Sequence, residues 1–192
     1  GPAYGWNDIG HKVVAAIAWR HVTPETRARV VALLRRAPED AALSSLLASN
    51  GRPAVERERR FFMLASTWAD RVREQGRPEH AYHRSTWHYV NYFWEPGRGG
   101  AAGTERPDLG TSGELVQRLG QLEAALSDPD LAESEKAIAL AWVLHLVGDL
   151  HQPLHTSARV TTEEPEGDRG GNLFRLDRNA NLHGYWDGIL TR

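Results

Sequence analysis

The stretch HLVGDLHQPLH, His145 to His155, places three histidines and an aspartate in the most apolar part of a chain that has nine histidines in all. On a helix, residues four apart share a face, so His145 and Asp149 point the same way. Burying a lone charge costs several kcal/mol unless something pairs with it. A metal ion does so, and with no cysteine in the chain its ligands have to be imidazole and carboxylate. Pro153 stops the helix and turns the chain, which brings His155 back towards the same region. For one such pair taken alone, a hydrogen-bonded His–Asp pair inside a core is the favoured reading.

The pattern recurs. NLHGYWD sets His183 and Asp187 four apart, Asp70 follows Trp68-Ala69, His88 sits among aromatic residues in WHYVNYFW, and His11 lies five residues after Trp6. Several separated segments each offer His or Asp in an apolar setting, which favours a multinuclear His/Asp metal site over a set of core pairs. His21, His80 and His83 read as surface or loop residues. His151, between two candidate ligands, reads as a supporting or exposed residue.

These residues need elements to carry them. Residues 8–20 are apolar at helical spacing, with Asp8 as candidate cap. Thr23-Pro24-Glu25 marks a helix start, Thr as cap and Pro at the first position, running to about Arg36. Residues 40–49 predict a short helix and 56–74 a longer one. Residues 75–87 are polar and broken, and 87–94 fits a short helix or an extended piece. Gly and Pro make 95–110 a loop. Helices are predicted over 111–127 and 133–150, the second so apolar that it must be the central, buried one. Residues 156–171 read as an acidic loop, 172–176 as one strand of a small hairpin, and Asn181 to the end as a last helix. The sum is one mainly α domain over residues 6–192.

The 192 residues suffice for one domain with a sizeable core. Net charge is −2, so nucleic-acid binding cannot rest on bulk charge. No run of about eighteen apolar residues exists to span a membrane. Gly1-Pro2 looks like the scar of a cleaved expression tag. Ala3-Tyr4-Gly5 fits either the end of a signal peptide, with Trp6 as first mature residue of a secreted or periplasmic protein, or a plain N-terminal tail.

WNDIGH, STWAD, WHYVN, HLVGDLHQPLH, GDRGGN and NLHGYWD, in this order from Trp6 to Asp187, resemble the S1/P1 nuclease family of zinc-dependent single-strand nucleases. The zinc-dependent bacterial phospholipases C are more distant relatives. The resemblance implies the helical phospholipase C/P1 nuclease-like fold with three zinc ions in one cleft. It implies that Asp70, His88, His145 and Asp149 hold the first zinc, and His155, His183 and Asp187 a second. Asp149 bridges to a third, held by His11 and by the free amine and carbonyl of an N-terminal Trp6. With residues before Trp6, that third site is in doubt. Asp149, Asp70 and His88 then sit where the reaction occurs, and Asn172 matches a residue that hydrogen-bonds a nucleobase.

The implied activity is hydrolysis of single-stranded DNA and RNA, and of 3′-nucleotides, to 5′-phosphate products. Paired zinc ions lower the pKa of a shared water, and the metal-bound hydroxide attacks phosphorus in line. A flexible strand can push a phosphodiester into a cleft while a base stacks on an aromatic side chain. Tyr89, Phe93, Trp94 and Tyr185 are the candidates. The protein is expected to act as a monomer. Three features depart from the family. Asn91, beside the substrate, stands where fungal members carry Asp. The span from GGN to NLH is short. The chain ends soon after Asp187, as a C-terminally truncated form would. A zinc-dependent phospholipase C is the alternative enzyme, disfavoured by Asp187 where those relatives have Glu. A non-catalytic zinc-binding protein is the alternative of another class, disfavoured by ligands spread over distant segments.

Overall fold

The computed structural model describes residues 6–48, 51–97, 99 and 101–191. The reading of residues 1–5 as tag scar or signal remnant lies outside them. The fold is mainly helical, as the sequence predicts. Helices α1 (Asp8–His21), α2 (Pro24–Leu34), α3 (Ala54–Ala65), α4 (Trp68–Arg71), α5 (Leu115–Ser127), α6 (Glu133–Leu150) and α7 (Leu182–Asp187) alternate with 3₁₀ turns and short strands. α6 is the centre, packed by α1, α2, α3, α4 and α5. Trp142 and Leu146 of α6 join Phe61, Trp68, Leu34 and Leu43 in the core.

Several expected boundaries move for local reasons. The cap of α1 is Asn7, not Asp8. The Asn7 side chain accepts from the backbone N–H groups of Ile9 and Gly10, and Asp8 sits inside the first turn, where its charge suits the helix dipole. Thr23 caps α2 and Pro24 opens it, as expected, although α2 stops at Leu34. The helix expected over 40–49 is two 3₁₀ turns, Glu39–Ala41 and Ser44–Leu46, with Ala42 at φ 51° between them. The single helix expected over 56–74 breaks after Ala65. There the Ser66 and Thr67 hydroxyls donate to the carbonyls of Met63 and Leu64 at 2.7 and 2.9 Å, an alternative to the regular ladder.

WHYVNYFW divides. Ser85–His88 forms a 3₁₀ turn, and Val90–Glu95 is strand β1. The expected loop 95–110 carries β2 (Thr104–Glu105), and the expected helix from 111 begins with β3 (Thr111–Gly113), where Gly113 at φ 86° separates strand from helix. The expected loop 156–171 contains β4 (Ser157–Arg159). β2 and β3 pair antiparallel with 94–95 and 90–92 of β1, while β4 pairs parallel with 92–94. Tyr92 faces both Thr111 and Ser157, so these lie on opposite edges and β1 is central.

The hairpin expected at 172–176 reduces to one bridge, Arg175 with Asn181. Asp177 accepts from the N–H groups of Asn179 and Ala180, and this tight turn reverses the chain before a ladder can extend. The last helix is short, Leu182–Asp187, followed by the 3₁₀ turn Ile189–Thr191.

Candidate metal centre

The topology gathers the ligand candidates. A parallel pair starts at one end of the sheet, and its connection must cross over. Here the crossover is α5–α6. His88 precedes β1 by two positions and His155 precedes β4 by two, so both histidines emerge at the same edge. His155 Nδ1 donates to the His88 carbonyl at 2.6 Å. α6 brings His145 and Asp149 from beneath, α1 brings His11, α4 brings Asp70, and α7 brings His183 and Asp187. Three groups result: His11, His145 and Asp149; Asp70, His88 and His145; His155, His183 and Asp187.

Asp149 joins the groups. It is fully buried, with Oδ2 3.1 Å from both His88 Nδ1 and His145 Nε2. Its Oδ1 stands 3.3 Å from His11 Nε2 and 3.8 Å from His155 Nδ1. Asp70 lies 3.8 Å from His145 and 3.9 Å from His11, and Arg73 sits on it at 3.1 Å. Trp6 packs over Gly10, the residue before His11.

The histidines are aimed by backbone carbonyls. His145 Nδ1 donates to Ser66 at 2.8 Å, His155 Nδ1 to His88, and His183 Nδ1 to Gly170 at 2.7 Å. A ring held this way keeps a bare Nε2 when neutral. Those bare nitrogens converge: His155 and His183 Nε2 stand 3.1 Å apart, and His145 Nε2 is 2.9 Å from His88 Nδ1. Lone pairs facing each other repel unless a cation lies between them. Ligand atoms held tetrahedrally by one zinc ion stand about 3.3 Å apart, given bonds of about 2.0–2.1 Å. Both nitrogens of His11, Nε2 of His88 and Oδ1 of Asp149 are buried without a hydrogen-bond partner, a state that normally demands a missing partner. The residues fit divalent metal ions.

Electrostatics agrees. Burial pushes the His88 imidazole down to about 4. Burial, then His145, holds His11 down too. Burial acts on His145 in the same direction, but Asp149 and Asp70 outweigh it and lift that ring to about 9. Burial opposes the charge on Asp149, yet His145 and His155 hold it well below the usual carboxylate range. Burial, helped by the charges of Asp149 and Asp70 and opposed by the hydrogen bond from Gln152, pushes Asp187 up to about 8. Without metal, protons do part of the work of cations.

Above the ligands opens a cleft of about 660 Å³, lined among others by Arg73, His88, Tyr89, Asn91, Arg169 and Asn172. Asn91 is buried and donates to Ser112 Oγ at 3.0 Å; Asn172 donates to the Arg169 carbonyl at 2.9 Å. Of the four aromatic candidates, only Tyr89 lines this cleft. Phe93 and Trp94 line a separate groove with Tyr92 and Arg106, and Tyr185 lines neither. His151 is exposed, with Nδ1 on the Val147 carbonyl. His21 is exposed as expected, but His80 and His83 are half-buried, their rings stacked at 5.4 Å.

Sequence reasoning missed the residues that act through backbone or shape. Gly148 is the clearest: a Cβ there would stand 2.6 Å from His11 Nδ1, so the glycine of HLVGDL lets the α1 histidine lie against α6. Gly170, at φ 62°, has no room for a side chain against the Leu154 carbonyl while its own carbonyl holds His183. Asp168 is buried and accepts from the N–H groups of Arg159 and Gly171, both at 3.0 Å, which shapes the GDRGGN loop.

Known proteins are similar to this chain in sequence. Nuclease P1 of Penicillium citrinum is 26% identical over 190 residues, covering 97% of this chain and 58% of its own length. Endonuclease 2 of Arabidopsis thaliana is 29% identical over 204 residues, 97% of this chain and 56% of its own. Nuclease S1 of Aspergillus oryzae is 26% identical over 185 residues, 96% and 54%. The chain therefore spans a little over half the length of these relatives. Residues 6–192 match the family model described as S1/P1 Nuclease, and the chain belongs to that family.

Proposed function

We propose that the protein is a zinc-dependent phosphodiesterase that cleaves single-stranded DNA and RNA, and 3′-nucleotides, to 5′-phosphate products. The observation that carries the reading is the gathering of three His/Asp groups around one buried carboxylate, Asp149, with His88, His155 and His183 of those groups lining a cleft of about 660 Å³. Relatives named as nucleases support the substrate class.

Asp70, His88, His145 and Asp149 would hold one zinc ion, His155, His183 and Asp187 another, and His11 with Asp149 a third, to which Trp6 contributes if its amine is free. Bound zinc ions supply a lowered water pKa and positive charge against the phosphodiester. The chain's own part is to fix donors and exclude alternatives. Asp149 holds its charge because His145 and His155 surround it. Carbonyls of Ser66, His88 and Gly170 fix three imidazoles in one tautomer. Arg73, on the cleft wall and 3.1 Å from Asp70, places a guanidinium beside the reaction centre. Asn91 offers a carboxamide there and cannot serve as a base. Tyr89 presents a ring to a base, and Asn172 presents an amide. A duplex keeps its phosphates on a rod too wide to reach the cleft floor, whereas a single strand can bend in.

Among the described residues no helix is long and apolar enough to cross a membrane. Export, with Trp6 as first mature residue, and action as a monomer belong to the same proposal. One assay tests the function: incubation with single-stranded DNA, RNA, a 3′-nucleotide and phosphatidylcholine, with and without chelator. Chelator-sensitive cleavage of the nucleic acids is expected. Release of a phosphorylated headgroup alone would replace this reading with a phospholipase, and zinc binding without turnover would replace it with a zinc-binding protein.

A further inference from the structure

Gln152 is completely buried, and along the chain it lies between the candidate ligands Asp149 and His155. We infer that Gln152 is a positioning residue that sets the metal affinity of the His155–His183–Asp187 group, by tying its carboxylate to the turn that carries its first histidine. This rests on the reading that the group holds a metal ion.

Both ends of the amide are used. Nε2 donates to Asp187 Oδ1 at 2.7 Å, and Oε1 accepts from the Leu154 N–H at 2.6 Å. The reverse orientation would set oxygen against carboxylate and NH₂ against N–H, so the partners decide which way the amide lies. The first bond reaches across 35 residues and joins the end of α6 to α7. It occupies Oδ1 and leaves Oδ2, 3.5 Å from His183 Nε2, for the group.

The second bond shapes the 3₁₀ turn Pro153–His155, which Gln152 caps. That turn sets the direction of the His155 ring, and with it the 3.1 Å approach of its Nε2 to His183. One neutral side chain thus fixes the carboxylate and one of the two imidazoles. Asp187 is also buried, so losing this donor leaves one of its oxygens short of a hydrogen-bond partner. Methionine has nearly the length of glutamine and makes neither bond. Asparagine keeps the amide but is too short to span both partners.

The test uses the full chain with four variants: Gln152→Met, Gln152→Asn, His183→Ala, and the double variant Gln152→Met with His183→Ala. Zinc affinity is read by competition with a chromophoric chelator, and the melting temperature of each metal-free protein is read alongside. His183→Ala removes one zinc ion. Gln152→Met weakens that same ion about 10- to 100-fold, the usual effect of losing a group that orients a ligand, and leaves the other ions unchanged. Gln152→Asn gives a smaller loss at the same ion and keeps the test open if the methionine variant does not fold. The double variant binds as His183→Ala does, because the amide acts only through that group. Wild-type affinity in both Gln152 variants, or equal weakening of every ion together with a lower metal-free melting temperature, overturns the inference and leaves the metal reading standing. A His183→Ala protein that binds as much zinc as the wild type overturns the metal reading of the group itself.

Discussion

His155 and His183 face each other with their Nε2 atoms 3.1 Å apart, while both Nδ1 atoms donate to backbone carbonyls. Two neutral imidazoles arranged so have no hydrogen to share. Chelation should therefore destabilise the fold as well as stop turnover, because metal-binding free energy is also folding free energy. Purified protein is expected to carry more than one zinc ion per chain by elemental analysis and to melt at a markedly lower temperature after chelation. An unchanged melting temperature, with all ligands intact, would count against the multinuclear reading.

Asp149 and Asn172 should differ in what they cost. Asp149→Asn removes charge that several histidines and the metal ions share, so activity on a short single strand should fall by more than about a hundredfold. Asn172→Ala would remove only the neutral contact proposed to a base and should cost about tenfold. Equal losses in steady-state kinetics would show that the roles are wrongly assigned.

Gly148→Ala should damage the site although alanine is the better helix former by about 1 kcal/mol. The added methyl would meet His11 Nδ1 at 2.6 Å, backed by α1, and overpacking of this kind costs about 1–3 kcal/mol. The expected result is weaker binding of the zinc ion proposed at His11, measured by chelator competition, with the one proposed at His155, His183 and Asp187 retained. Undiminished affinity at the His11 site would mean that α1 can shift freely.

The metal-free protein should lose stability on the alkaline side. His145 is raised from 6.5 to about 9 and Asp187 from 3.8 to about 8. Each contributes stability that is fully present below its unfolded value and is lost as pH rises towards its folded one. His88 is lowered from 6.5 to about 4, so its contribution is lost instead as pH falls across that interval. Zinc displaces the protons on His145 and Asp187, so its affinity should rise with pH. Thermal melts with chelator should therefore fall between pH 6.5 and 9, while zinc-loaded protein should not follow them. A metal-free melting temperature that rises across that interval would contradict these assignments.

How much was readable in advance varies by residue. α6 was legible to its ends, because a long apolar run with charged residues four apart has one helical reading. The His and Asp side chains that the fold gathers were legible for the same reason: they stand out in apolar surroundings. The break at Ser66 was not, since hydroxyl-to-carbonyl bonds leave no periodic trace, yet the Ser66 carbonyl it presents is what aims His145. The pairing of β1 with β4 was hidden as well, because two helices intervene and neither strand shows a clean alternation. Gln152 left one signal, a polar residue between two ligand motifs just before Pro153.

The crossover between β1 and β4 has a kinetic consequence. His88 and His155 meet only after α5 and α6 have docked, and Asp149 meets His11 only when the start of the described chain has returned to α6. The contacts that build the centre thus have high contact order, whereas those of the α5–α6 hairpin are local and cheap in loop-closure entropy. Contact order thus predicts that the centre assembles late, after α5 and α6 have docked. A cation held there reports that the whole route has been completed, and none of the three groups can form within a single helix or hairpin.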